Sequence, residues 1–364
     1  MAIKVLVISS YDDNYNAVRP EGELLIGLQQ AGLDLHIMTQ GEAPFTERFR
    51  ASGLRVIDFH PKKKFDGAAV RRIRAELIAG QYDILYLCNN KAIANGLRAA
   101  WRLPVRVITY RGYAGHVDWW DPSVYLTHLS PRIDYVACVS EAVRKTFQHQ
   151  PFFDGSKAVT VGKGHNPAWY AGVAAADLAE FDLPPNAIVV GTVANARKIK
   201  GIDVLAEALR YVSAELPVYV LFIGRNLDTP AIRRLLATTP FADRVRFTGF
   251  RKDALSLIKA LDISVLPSFA EGLSKVVLES LFLGVATIMT DIEGNRKMAV
   301  QGETGLYFPP GDALALGRAI ERLATDAADR QRMGRAGAAY VAAHYSVESS
   351  VIEMKELFEK AITN

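Results

Sequence analysis

Short runs of consecutive apolar residues recur along the chain, and most are followed by a stretch in which apolar positions return every three to four residues. Residues 4–8 form the first run; a polar loop over 9–20 and a helix over about 21–31 follow, closed by Gly32. Runs at 35–38 and 54–57 predict two more strands, and a basic helix over about 69–79 comes next. Further strands are expected at 84–87, 105–108 and 135–139, with one helix ending near Trp101 and another opening at Ser140. Strands alternating with helices, each reading as an unbroken apolar run rather than an every-other-residue pattern, predict a doubly wound parallel sheet of the α/β class.

The pattern weakens between residues 159 and 185, where glycines, Pro167, an alanine-rich stretch and the pair Pro184-Pro185 follow in succession. A hinge is expected there. A second alternation then begins, with strands at 188–191, 218–223, 245–247, 263–266 and 286–289 and a helix running through Leu209. The tail is helical over 312–340, breaks at His344-Tyr345-Ser346, and ends in an amphipathic helix over 347–361. This predicts two Rossmann-like domains facing a cleft, residues 1–165 and 166–345, with 346–364 returning to the first.

Composition agrees with two globular domains, since half of the 364 residues are hydrophobic and 23% are charged. The two cysteines, Cys88 and Cys138, lie in apolar runs without metal-ligand spacing and read as small buried side chains in a reducing compartment. The N-terminal run ends too soon for a secretory signal, and no run approaches the ~20 residues of a membrane span, so a cytoplasmic protein is expected. The net charge of +4 is uneven: 21 Lys and Arg stand against 16 Asp and Glu through Gly164, but 22 against 23 beyond it. Lys62-Lys63-Lys64 and Arg71, Arg72 and Arg74 carry much of that excess; they read as solvated faces, or as a surface that attracts an anionic membrane leaflet or an acidic acceptor. The basic runs lack interleaved aromatics, which argues against nucleic acid.

The most informative stretch is 262–280. An apolar strand stopped by Pro267 leads into the small-residue loop Ala270-Glu271-Gly272-Leu273-Ser274 and then into a helix carrying Val276, Val277, Leu278, Leu281 and Phe282. A helix start beyond a strand end presents free N–H groups and a positive dipole end, so an anionic ligand is expected. Glu271 and Glu279 are eight residues apart, about 12 Å of helical rise. A hydrolase carboxylate pair needs roughly 5 to 9.5 Å, so the two are expected to grip different parts of one elongated ligand.

The text E-G-L-S-K-V-V-L-E resembles the E-x7-E signature of the GT-B glycosyltransferases, specifically the retaining family 4 (glycosyl transferases group 1). The resemblance implies two Rossmann-like domains with a C-terminal helix crossing back to the first. It places Glu271 by the donor sugar, the backbone of Gly272, Leu273 and Ser274 on the diphosphate, and Glu279 on the nucleotide ribose. The segment 191–201 resembles the family's Arg and Lys pair before K-G, which makes Arg197 and Lys200 stabilisers of the leaving diphosphate; many members place the arginine where this chain has Thr192. Phe250 and Arg251 fall in a segment similar to the F-x-G-F/Y that meets the base. Gly22, in Arg19-Pro20-Glu21-Gly22-Glu23, stands where relatives have a glycine-rich loop approaching the donor phosphate, with a different composition. Relatives often carry a histidine near the reacting sugar, at the end of the strand matching 105–108; here Arg111 is nearest and His116 lies five residues on, and which of the two the resemblance places at the reacting centre, as a catalytic residue, stays open. Asp291-Ile292-Glu293-Gly294-Asn295 stands at a G-G-x-P-E loop but keeps one glycine and shifts the acid, so no role is assigned.

The resemblance implies a retaining hexosyltransferase, metal-independent and without cofactor, that takes a UDP, GDP or ADP sugar and passes it to a glycan or lipid-linked acceptor such as a lipopolysaccharide core. The absence of a D-x-D triplet fits protein cations in place of a divalent ion. Trp119, Trp120 and Tyr125 offer an acceptor platform or ordinary core packing. A phosphorylase or sugar-phosphate synthase on the same fold, or a non-catalytic nucleotide-sugar binder, are the competing readings.

Overall fold

The computed structural model describes residues 2–12, 15–115 and 117–363, the Ala17 side chain excepted. It divides into two compact units, one formed by the chain up to His165 with the chain from Tyr345 onward, the other by Asn166–His344.

The first unit is built on seven strands: β1 (Lys4–Ile8), β2 (Asp34–Thr39), β3 (Arg55–Asp58), β4 (Ile84–Leu87), β5 (Arg106–Arg111), β6 (Tyr135–Cys138) and β7 (Ala158–Thr160). All pair in parallel in the order β3-β2-β1-β4-β5-β6-β7, so the order reverses between β1 and β4. Val5, Leu6, Val7 and Ile8 are completely buried, as a strand covered on both faces requires. The first helix differs from expectation. It runs Tyr15–Gln30 and carries Pro20 in its second turn, where the ring forgoes one backbone bond but does not stop the helix.

The last helix, Val347–Thr363, belongs to this unit and packs along Tyr15–Gln30. Gly27 allows the close approach, because a Cβ there would lie 2.5 Å from a Val351 methyl. Met354, Leu357, Phe358 and Ala361 complete the core, with the Phe358 ring edge-on to Tyr86 at 5.7 Å. Glu353 accepts from the Gly162 amide (2.7 Å) and Ser350 from the Gly164 amide (2.8 Å), which fixes where the chain re-enters the unit.

The second unit holds β8 (Ile188–Val193), β9 (Val218–Ile223), β10 (Val245–Gly249), β11 (Ile263–Leu266), β12 (Ala286–Thr290) and β13 (Leu306–Phe308), all parallel in the order β10-β9-β8-β11-β12-β13. Its strand order reverses between β8 and β11. The three-residue β13 is too short to show as a pattern in the sequence. The stretch expected as one helix over 312–340 is two, Ala313–Thr325 and Ala327–His344, separated at the extended residue Asp326.

Candidate functional site

Open parallel sheets bind ligands beyond the carboxyl ends of their strands, where the strand order reverses. In the second unit that place is the β8/β11 boundary, and three loops meet there. Pro267 stops β11, and two residues later the Phe269 amide donates to the Ile199 carbonyl (2.8 Å), tying the loop after β11 to the loop after β8. Gly201 tightens the tie. Its φ is +61°, and a Cβ would stand 2.0 Å from the Pro267 carbonyl oxygen, so the position tolerates only glycine without rearrangement.

This brings Lys200 onto Glu271, with Nζ donating to Oε1 at 2.6 Å and both side chains largely buried. The third loop follows β12. Gly294 lies against the backbone of Glu271 and Gly272, where a Cβ would come within 2.2 Å of the Glu271 carbonyl oxygen. Asn295 anchors that loop by donating from Nδ2 to the Thr290 carbonyl (3.0 Å), and Tyr307 Oη donates to the Asn295 carbonyl (2.8 Å).

Beyond Glu271 the chain turns into the helix Lys275–Phe282. Ser274 is its N-cap, with Oγ accepting from the Val277 amide at 3.4 Å. The remaining first-turn amides lack a partner within the helix and carry the positive end of its dipole. Glu279 lies one turn further in and is 8% exposed. Burial raises its pKa above the usual carboxylate range despite Lys275, whose Nζ is 3.2 Å away. Among the described residues, three buried polar atoms in the segments around this edge have no partner: Thr192 Oγ1, Ser268 Oγ and Asn295 Oδ1. Unpaired buried polar atoms are rare in folded proteins, and here they fall where a polar ligand is expected.

The other expected residues divide. Arg197 is exposed in the loop after β8, its Nε donating to Asn195 Oδ1 at 3.1 Å, and it helps to line a cavity of about 280 Å³ with Lys198, Asp203, Asn226 and Thr229. Phe250 is 52% exposed just past β10, under the Arg225 guanidinium at 4.2 Å from its centroid. Arg251 does not offer a free cation, because Glu180 and Asp253 both bind its guanidinium at 2.8 Å. Gly22, expected at a helix start, sits inside the helix Tyr15–Gln30, where a Cβ would strike the Phe45 ring at 2.2 Å, so packing alone already calls for a glycine. His116 lies outside the described residues. Arg111 ends β5 in the first unit. Trp119 and Trp120 are exposed and in edge contact at 5.9 Å, with Phe152 at 6.0 Å from Trp119, so they are not core.

Gly201 and Gly294 were not assigned from the sequence, and neither was Arg225. Their contacts join segments far apart in the chain, and only the single glycine kept in the 291–295 loop hinted at one of them.

Two family models match, Glycosyltransferase Family 4 over residues 22–169 and Glycosyl transferases group 1 over residues 184–326. The lipopolysaccharide core biosynthesis glycosyltransferase LpsE of Rhizobium meliloti is 33% identical over 178 residues, 49% of this chain and 51% of the relative. The O-antigen biosynthesis glycosyltransferase WclY of Escherichia coli is 32% identical over 113 residues, 31% of each chain. The chain thus spans about half the length, or less, of these curated relatives. Among solved structures, a glycosyltransferase from Rickettsia africae superposes with a TM-score of 0.80 at 17% identity, covering 100% of this chain and 99% of that one. Anabaena HepE in complex with UDP and glucose superposes with a TM-score of 0.77 at 16% identity, covering 98% and 100%. The fold is GT-B.

Proposed function

We propose, on the premise that this chain belongs to the family 4, group 1 glycosyltransferases, that it moves a sugar from a nucleoside diphosphate to a glycan or lipid-linked acceptor, with retention of configuration and without a metal ion. The observation that carries this is the joining of Lys200, Glu271 and Gly294 beside the helix capped by Ser274. That arrangement sets one lysine and a row of backbone amides where a diphosphate gathers charge as its bond to the sugar breaks. Arg197 adds a second cation on the same loop as Lys200. Glu279 takes the ribose hydroxyls, and the base lies toward Phe250 and Arg225.

In this scheme the bond from the sugar's anomeric carbon to the diphosphate oxygen breaks, and the acceptor oxygen bonds to that carbon on the same face. The acceptor's proton passes to the departing phosphate oxygen. Lys200 is shared with Glu271 beforehand, so the arriving phosphate joins an existing ion pair rather than an isolated charge. The UDP in the HepE structure supports a uridine donor, and the names of LpsE and WclY support an acceptor in lipopolysaccharide or O-antigen assembly. Such acceptors are held at membranes. No helix among the described residues is long and apolar enough to cross one, and the basic clusters of the first unit support contact with the inner face of the cytoplasmic membrane instead.

Calorimetric titration with UDP, GDP and ADP tests the reading. One of them is expected to bind, and Lys200→Ala and Glu279→Ala each to weaken it tenfold or more, about 1.4 kcal/mol. Unchanged affinity in both variants would sink the assignment. Turnover by phosphate alone, without a glycan acceptor, would favour a phosphorylase.

A further inference from the structure

The end of β5 holds a cluster that the donor site does not use. Arg111 donates from Nε to the Tyr113 carbonyl (3.0 Å), from Nη1 to His128 Nε2 (2.9 Å) and from Nη2 to the Gly115 carbonyl. All three acceptors are neutral. Among the described residues no carboxylate pairs with this guanidinium, although it is partly buried and an arginine keeps its charge at any working pH.

His128 makes the arrangement specific. A guanidinium only donates, so Nε2 must carry the lone pair and Nδ1 the proton. Asn90 Oδ1 stands 3.1 Å from the same Nε2, so a ring that accepts from Arg111 requires the Asn90 amide to turn its NH2 toward it. Burial first, and then the charges of Arg111 and Lys64, push the imidazole pKa down to about 3, so the ring stays neutral and remains an acceptor. His128 is 6% exposed, and its Nδ1 has no partner among the described residues.

A buried charge without a counter-charge is costly, and folds keep such groups where a ligand completes them. Arg111 stands at the carboxyl end of β5. Next to it, β4 leads into the helix Asn90–Ala99, whose first turn adds positive dipole and whose Asn90 touches His128. The positive charges near this point come from three different segments, Arg111 itself, Lys64 and that helix start, and no carboxylate among the described residues forms an ion pair with Arg111.

We propose that Arg111, held by His128 as a positioning residue, is an anion-binding site of the first unit, and that the acceptor it receives carries a phosphate or carboxylate group. The word acceptor rests on the proposed function; the anion site does not. The full chain, first saturated with whichever nucleoside diphosphate binds tightest, is titrated calorimetrically with inorganic phosphate and with acetate. At least one is expected to bind saturably, and Arg111→Gln to weaken it tenfold or more. Arg111→Lys, which keeps the charge but not the fork, is expected to recover part of the loss. His128→Phe leaves the net charge alone and is expected to weaken the anion equally at pH 6 and pH 9. Unfolding midpoints identify any variant that fails to fold. Binding of neither anion to the native chain, or equal binding to native and Arg111→Gln protein, would overturn the proposal. If no nucleotide binds, the proposed function fails, and the same titration on the bare protein still decides the anion site.

Discussion

At the scale of single residues, Glu279 sets function against stability. Its carboxyl is buried, and burial raises its pKa above the unfolded value, so the ionised form opposes folding. The sign follows from linkage. The contribution of the protonated acid is fully present below the unfolded pKa and is lost as pH rises through the folded pKa. Glu279→Gln keeps the shape and removes the charge. It is therefore expected to raise the unfolding midpoint at pH 8, with the advantage shrinking toward pH 4, while weakening nucleoside diphosphate as a ribose ligand should. Thermal melts across that pH range check the first half and calorimetry the second. A variant less stable than native protein at pH 8 would show that the Lys275 contact outweighs burial, the reverse of the assignment. Arg251 teaches the complementary lesson. The sequence shows a cation just past the strand end at Gly249, but Glu180, 71 positions away, takes one edge of it. No local pattern carries that information, because the choice of ion partner is made by the fold.

At the scale of elements, the strand, loop and helix over 262–280 were legible because each signal is local. The apolar run ends at a proline, Ser274 is a good cap, and the apolar period then changes to that of a helix. The start of the first helix was hidden by Pro20, and the break at Asp326 lies inside an alanine-rich run with no glycine or proline beside it. The glycines that hold the site together were hidden for a different reason. Gly201 meets Pro267 and Gly294 meets Glu271, contacts between loops that only the parallel sheet brings side by side. Replacing either should loosen the same place by different routes. Gly201→Ala forces a left-handed φ on an alanine and a clash with a carbonyl, and is expected to cost about 2 kcal/mol or more of stability. Gly294→Ala has no left-handed φ to maintain, so it should push the Glu271 backbone and lower nucleotide affinity more than it lowers the melting point. Denaturant titration and calorimetry on both variants separate the two effects, and equal, small changes in both would show that the loops adjust freely.

At the scale of the molecule, two units of similar design imply two cores that fail separately. Phe358 belongs to the last helix yet completes the core of the first unit, fully buried against Tyr86. Phe358→Ala should remove about 3–5 kcal/mol from that unit alone. Differential scanning calorimetry is expected to resolve a transition that moves down and a second, carrying the nucleotide's stabilisation, that stays. Movement of both together would mean that the units melt as one. Charge is divided as unevenly as the cores. The first half holds the basic excess, and its exposed Lys62, Lys63 and Lys64 run into Phe65, which is 51% exposed beneath the Arg98 guanidinium at 4.4 Å. Each lysine near an anionic leaflet contributes roughly 1 kcal/mol, within a Debye length of about 8 Å at physiological salt. Replacing all three lysines with glutamate should therefore weaken co-sedimentation with phosphatidylserine vesicles by far more than tenfold, while binding to neutral vesicles and to nucleotide stays as it was. Native binding should also fall steeply with added salt, because exposed charges are screened and an apolar contact is not. Sedimentation equal on anionic and neutral vesicles would assign the contact to Phe65 and the exposed tryptophans instead, and none on either would rule out a membrane contact through these residues.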